Sequence, residues 1–449
     1  MAVKVGMVSL GCSKNQVDAE IMLASLKKAG YELCTDSGSC DVVVINTCGF
    51  IEDAKKEAIE NILEFCTLKK EGRIKAVVVT GCLAQRYQME IAKEIPEADV
   101  ILGIGSNDQL VDAIGRALNG EKVYSFEDKE KAPMSGERIL SNLPFFAYLK
   151  IGDGCSNNCS YCAIPLIRGR LRSRPMEEIV EEARHFAQCG VTEVIVVAQD
   201  PTRYGEDLYE GRRMLPELLR RLCAIEELKW VRVLYCYPER ITDELLDVMA
   251  SEEKLVKYLD IPIQHVSAPV LKRMYRPGNR ESLTALMKKI RERVPGIVLR
   301  TTLITGFPGE TEEDFTELCE FVKEVKFERL GCFTYSAEEG TPAAQFPDQV
   351  DEEVKQRRAD VIMLEQNRIA EEFNTAQIGK TLEVVVEGFD RYAESFFGRS
   401  AMDAPDIDGK IFFTAPKDIK LRVGDYVPVL IEDVMDYDLL GVLVSEEEE

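Results

Sequence analysis

From residue 1 to about residue 376, short β-branched runs alternate with helix-like stretches, and this alternation restricts the fold more than any other feature. Strands joined by helical crossovers pair in parallel and need cover on both faces. KVGMVSL, DVVVIN, KAVVVT and DVILGI, with helices expected near Asp18–Gly30, Ile51–Lys69 and Ala84–Ile95, make residues 1–120 an α/β domain with a Rossmann-like open parallel sheet. Residues 121–142 are polar, carry Pro133 and Gly136, and read as a linker. Over 143–376 the strand candidates FFAYLKI, VTEVIVVA, WVRVLYCY, YLDIPIQ, IVLRTTLI and RLGCFTYS again alternate with helices, and a long charged helix, about Asp351–Ala376, closes the region. Six βα units predict a partial (β/α)6 barrel with its site at the C-terminal strand ends. Beyond Gly379 four short strands with no helix between them predict a small antiparallel β-barrel over 377–445, and Glu446–Glu449 reads as an acidic tail.

The chain holds 14 cysteines. No stretch reaches the roughly 18–20 apolar residues of a membrane span, and the first residues run straight into a strand rather than a leader. The expectation is a cytoplasmic protein without membrane contact, whose clustered thiols are metal or redox ligands rather than disulfides. In GDGCSNNCSYCAIP, directly after the first barrel strand, Cys155, Cys159 and Cys162 form a C-x3-C-x2-C loop. Three thiolates there can wrap three corners of an iron–sulfur cubane and leave one iron without a protein thiolate. Zinc would want a fourth ligand, and the chain has only two histidines, His185 and His265. Cys12, Cys48 and Cys82 follow the first three expected strands, each beside a glycine. Neighbouring strand ends lie about 4.8 Å apart in a parallel sheet, so these thiols converge. The other eight cysteines share no such pattern. From the residues alone, an iron–sulfur electron carrier or sensor stays open beside an enzyme.

The central triad, with Tyr161 between its last two cysteines, resembles the radical SAM superfamily. Two triads, a βα-barrel and a terminal β-barrel together resemble the methylthiotransferase family over nearly the whole chain. The resemblance implies a [4Fe–4S] cluster on Cys155, Cys159 and Cys162 whose open iron binds S-adenosylmethionine, an auxiliary [4Fe–4S] cluster on Cys12, Cys48 and Cys82, and a terminal TRAM domain. SLGCSKNQVDAE, AQDPTRYGEDLY, YSAEEGTPAA and GRSAMDAPDIDGKIFF resemble the RimO type. That type places a methylthio group on the β-carbon of an aspartate in small-subunit ribosomal protein number twelve. The other branch modifies tRNA at N6-isopentenyl- or threonylcarbamoyl-adenosine. The implied chemistry uses S-adenosylmethionine twice, once as methyl donor and once as radical source, so no acid–base catalytic residue is expected. It also needs an external low-potential electron donor and a sulfur donor.

Charge favours the protein substrate. The net charge is −23, and residues 378–449 hold 7 Lys+Arg against 17 Asp+Glu, a net −10. An RNA-gripping barrel should be basic, whereas a basic ribosomal protein is drawn to an acidic one. Polar residues at barrel strand ends are the candidate cofactor contacts: Tyr161 and Ile304 and Gly306 by resemblance to the superfamily's adenine side, with Gln199, Gln264, Arg203 and Arg300, the two arginines suited to the cofactor's carboxylate. The arginines of IRGRLRSRP (Ile167–Pro175) either touch acidic elements of cluster, cofactor or ribosomal RNA or form a solvated face.

Overall fold

The computed structural model describes residues 2–444, so the Glu446–Glu449 tail lies outside the described residues. Strands β1 (Lys4–Ser9), β2 (Glu32–Cys34), β3 (Val42–Thr47), β4 (Ala76–Gly81), β5 (Val100–Leu102) and β6 (Val123–Ser125) form one sheet in the order β2-β1-β3-β4-β5-β6. Every pairing in it is parallel. β3 and β4 are buried along their whole length, as VVVINT and AVVVTG require. One face packs on Met22, Leu26 and Ile114, the other on Ile62, Phe65 and Ile91.

β2 and β6 were not expected from the sequence. Both are three-residue edge strands with little to bury, so their hydrophobic signal is weak. β6 lies inside the segment read as a linker, which is therefore partly sheet. Further along that segment Arg138, its side chain 1 % exposed, bonds Glu20 at 2.5 Å and Glu182 at 2.8 Å and ties the first sheet to the barrel.

The barrel consists of β7 (Phe146–Lys150), β8 (Glu193–Val197), β9 (Trp230–Val233), β10 (Tyr258–Asp260), β11 (Val298–Thr305) and β12 (Arg329–Thr334). They form two parallel ladders, β9-β8-β7 and β10-β11-β12, linked by a bridge from Val231 to Leu255. The result is an open, six-stranded partial barrel. The closing helix, Glu352–Thr375, packs on β12 and β11.

Strands β13 (Thr381–Asp390), β14 (Ser395–Ser400), β15 (Ile411–Thr414), β16 (Tyr426–Met435) and β17 (Asp438–Leu443) close a small barrel in the order β13-β14-β15-β17-β16. One pair, β15 with β17, is parallel, because the chain crosses the barrel end between Thr414 and Tyr426. Val385, Ala404 and Tyr426 join Tyr148, Ile195, Trp230 and Tyr258 of the larger barrel in one core. Charges meet there too. Glu193, fully buried, sits between Arg232 at 3.0 Å and Arg399, and Arg329 meets Asp403 at 2.7 Å. Tyr258 Oη donates to Asp408 Oδ2 at 2.7 Å. Tyr258→Phe is expected to cost about 1–2 kcal/mol, read as a shift in chemical unfolding at unchanged slope, because it strips one bond from a buried carboxylate.

Candidate active site between two cysteine triads

β1, β3 and β4 are neighbours, with Ser9 opposite Asn46 and Thr47 opposite Gly81, so the residues just past their C-terminal ends meet. Cys12 precedes the Ser13–Lys28 helix, Cys82 opens the Cys82–Tyr87 helix, and Cys48 lies between them. Gly11 has φ +90°, and a Cβ there would come within 2.8 Å of the Cys48 Cβ, so glycine is what lets the Cys12 and Cys48 loops close together. Two asparagines pin these loops: Asn15 Nδ2 donates to the Leu10 carbonyl at 2.7 Å, and Asn46 Nδ2 to the Asn15 carbonyl at 2.7 Å.

The thiols differ. Burial pushes Cys82 up to about 12 and Cys48 upward as well. Cys12 is also raised by burial, yet Lys14, Arg168 and the N–H groups of Asn15 and Lys14 leave it below its ordinary value.

The second triad lies on a loop whose entry is fixed by Asp153. Its Oδ1 accepts the Gly154 N–H and Gln199 Nε2, each at 2.9 Å, and Arg168 and Lys150 hold its carboxyl well below the usual range against burial. Cys155 N–H donates to the Gly169 carbonyl at 3.1 Å, and Cys162 N–H to the Cys159 carbonyl at 3.0 Å. Ser160 docks the loop on the next part of the barrel, its Oγ donating to the Arg273 carbonyl at 2.7 Å. Cys159 Sγ stands 3.3 Å from Tyr237 Oη, and Arg276 lies over the Tyr237 ring at 4.0 Å. Burial pushes Cys155 up to about 11 and raises Cys162 further.

The triads face each other. Arg168, six residues past Cys162, donates through Nη2 to Cys82 Sγ at 3.4 Å and through Nη1 to Asp153 Oδ2 at 2.9 Å. Opposite it, Arg86 Nη1 and Lys55 hold Glu338 at 2.6 and 3.2 Å, latching the loop after β12 to the first sheet. The Ala343 N–H of that region donates to the Ser160 carbonyl at 2.9 Å. Each triad is thus anchored to the other's domain.

Both donor sets suit iron–sulfur clusters. Each offers three thiols and no competing nitrogen ligand, with the Arg168 and Arg276 cations close enough to balance thiolate charge. Among the described residues no three His, Cys, Asp or Glu side chains are drawn together as a single ion needs. A cluster gives each thiolate its own iron and so accepts a wider spread.

Known proteins agree along the whole length. Residues 4–103 match the model of Uncharacterized protein family UPF0004, 149–322 the Radical SAM superfamily and 378–444 the TRAM domain. The chain is 49% identical over 439 residues to a Lachnoclostridium phytofermentans protein named ribosomal protein uS12 methylthiotransferase RimO, covering 98% of this chain and 99% of that one. It is 50% identical to a protein of that name from Caldanaerobacter subterraneus subsp. tengcongensis, over 97% and 99% of the two chains, and 48% to one from Clostridioides difficile, over 99% of each. The chain belongs to the RimO methylthiotransferase family. Among solved structures, a radical S-adenosylmethionine methyltransferase, TsrM, from Kitasatospora setae shares the fold at TM-score 0.54 and 15% identity, over 76% of this chain and 77% of that one.

Membership in this radical SAM methylthiotransferase family brings S-adenosylmethionine and [4Fe–4S] clusters as cofactors. Most of the expected cofactor contacts of the methylthiotransferase lie at the edge that carries the second triad. Tyr161 Oη accepts from Arg276 at 3.4 Å, and its ring meets Phe307 edge-on. Gln199, bonded to Asp153, has a buried Oε1 with no partner. Arg203 Nη1 donates to Asn157 of the cysteine loop at 3.1 Å. Gln264 and Ile304 are joined by an N–H···O bond of 2.8 Å, and Gly306 follows with φ +70°.

Arg300 is the exception. It lies five residues before the end of β11, about 16 Å down the strand. There it pairs with Asp260 at 3.0 Å and faces Asp408 at 3.6 Å. Its charge is already matched, which removes it from the carboxylate-binding candidates; a strand-end argument misjudged its depth because residue period gives the face and not the height. The sequence also missed Tyr237 and Arg276. WVRVLYCY held a signal for the tyrosines, two aromatics two residues apart at a strand end; Arg276 offered none.

Proposed function

We propose that this chain is a radical SAM methylthiotransferase that adds a methylthio group to the β-carbon of an aspartate in ribosomal protein uS12. The observation that carries the reading is the opposition of two three-cysteine sites across one interface in a chain that matches relatives of that name from end to end. Cys12, Cys48 and Cys82 would hold the auxiliary cluster, and Cys155, Cys159 and Cys162 the radical one; Tyr161, Gln199, Arg203, Gln264, Ile304 and Gly306 are proposed to line the cofactor. When bound, the clusters and S-adenosylmethionine supply the methylated sulfur and the power to break an unpolarised C–H bond, which side-chain acids and bases lack at neutral pH. The chain's own part is to place and to shield. Asp153, Gln199 and Ser160 fix the second triad, Arg168 and Glu338 hold it against the first, and the Ala163–Ile167–Cys82 contact keeps water out.

The acidic terminal barrel supports the protein substrate. Asp403, Asp408 and Glu387 are occupied by internal arginines and tyrosine. Glu432, Asp433 and Asp436 remain exposed beside Met435 and Tyr437 on the β16–β17 hairpin, an acidic and apolar edge suited to a basic protein. Among the described residues no helix is long and apolar enough to cross a membrane. The reading further proposes a cytoplasmic site of action, an external low-potential reductant and a separate sulfur donor.

The reconstituted enzyme, given uS12 or tRNA with reductant and S-adenosylmethionine, is expected to raise the mass of uS12 by one methylthio group. Modification of tRNA with uS12 unchanged rejects the proposal.

A further inference from the structure

Two of the eight cysteines outside the triads, Cys34 and Cys40, meet in the first domain. Cys34 ends β2 and pairs with Gly6 of β1; Cys40 comes two residues before β3, which pairs with the other side of β1. The short connection between them therefore crosses β1, and it does so at Gly6. A Cβ on Gly6 would stand 2.8 Å from Cys40 Sγ and 2.9 Å from the Ser37 Cα, so glycine is what admits the crossing.

A single turn shapes this crossing. Asp36 Oδ1 accepts the Gly38 N–H at 3.0 Å, and the Asp36 carbonyl accepts both the N–H and the Oγ of Ser39 at 3.1 Å. Both thiols converge on that same carbonyl oxygen, Cys34 Sγ at 3.2 Å and Cys40 Sγ at 3.1 Å. Four donors exceed the two lone pairs of one oxygen, so neither sulfur has an acceptor of its own, and the thiols bond each other. Their surroundings differ. Cys34 is half-buried on the edge strand and Cys40 is 2 % exposed. The hydrogen bond from Cys40 lowers the Cys34 thiol, whereas burial pushes Cys40 up to about 12. One thiol is thus an accessible nucleophile and its neighbour a shielded partner.

We infer that Cys34 and Cys40 are a redox modification site, a dithiol that small-molecule disulfides convert reversibly to an intramolecular disulfide, separate from the six cluster thiols. The Cys34 thiolate attacks one sulfur of the small disulfide, forming a mixed disulfide and releasing one thiolate. Cys40 then loses its proton, attacks the Cys34 sulfur and expels the second thiolate. Two protein thiols are oxidised, and one small disulfide is reduced to two thiols. The new bond joins β2 to the start of β3 across β1.

The test uses the full-length enzyme with both clusters reconstituted, incubated anaerobically with oxidised glutathione, then alkylated and mapped by peptide mass spectrometry with iron counted in parallel. Wild type is expected to lose two alkylatable thiols, to show a Cys34–Cys40 link with its iron unchanged, and to regain both thiols with dithiothreitol. Cys40→Ser should stop at a lasting glutathione adduct on Cys34, and Cys40→Ala should repeat this without a buried hydroxyl. Cys34→Ser should leave Cys40 unmodified. Wild type in which both thiols stay free, or in which Cys34 keeps its glutathione without a link, overturns the inference. So does a link found only in protein that has lost iron, or a Cys40 that takes up glutathione in Cys34→Ser as readily as Cys34 does in Cys40→Ser.

Discussion

Cys159→Ala is expected to abolish both methylthiolation and 5′-deoxyadenosine formation and to lower the iron content from about eight to about four per chain. Cys159 is the buried member of its triad, its Sγ 3.3 Å from Tyr237 Oη, on a loop that Ser160 and Asp153 hold in shape. Alanine leaves Cys155 and Cys162, two thiols that cannot hold three corners. The surrounding bonds to Gly169, Met274 and Arg273 do not involve the thiol, so the fold should survive, and far-UV circular dichroism should match wild type. Iron assay and product analysis check the expectation. Undiminished cleavage of S-adenosylmethionine would reject the assignment of this triad, and retention of the first triad's iron in the same variant would separate the two sites.

Arg168→Ala should produce the largest loss of stability. The guanidinium, 1 % exposed, answers Asp153 at 2.9 Å, Asp18 at 2.9 Å, Asn15 at 3.2 Å and Cys82 at 3.4 Å. Its removal leaves Asp18 and Asp153 buried with Lys150 alone between them. Breaking a buried ion network in this way costs about 3–5 kcal/mol, far more than the intact network contributes relative to apolar packing. Chemical denaturation reads the loss, and faster release of iron to a chelator should accompany it, because Cys82 loses its donor. Arg168→Lys keeps the charge without the planar fork and should recover only part. A shift within about 0.5 kcal/mol of wild type, the range of ordinary surface changes, would show that the network does not join the two domains.

The arginine run containing Arg168 shows where sequence reasoning stops. From its residues alone the run fits either a solvated face or contacts to acidic elements of cluster, cofactor or ribosomal RNA. The structure divides it: Arg168 and Arg174 are buried in ion pairs, Arg172 donates to the carbonyls of Glu130 and Ala132, and Arg170 is exposed. The sheet edge strands β2 and β6 escaped for another reason, since three residues are too few to carry a periodic signal. The β15–β17 parallel pair escaped because short alternating strands specify a barrel without specifying the direction of each neighbour.

The sequence by itself determined the two βα domains, the small barrel and the positions of all six cysteines past strand ends. Those follow from hydrophobic period and local spacing, which act over a few residues. Only the tertiary structure decided which charges meet. Arg86 and Glu338 are 252 residues apart, Arg168 and Cys82 86 apart, and Arg300 is paired by Asp408 from another domain. Such partners depend on how the crossovers and the terminal barrel bring distant segments together, and a buried charge is matched by whatever that packing places beside it.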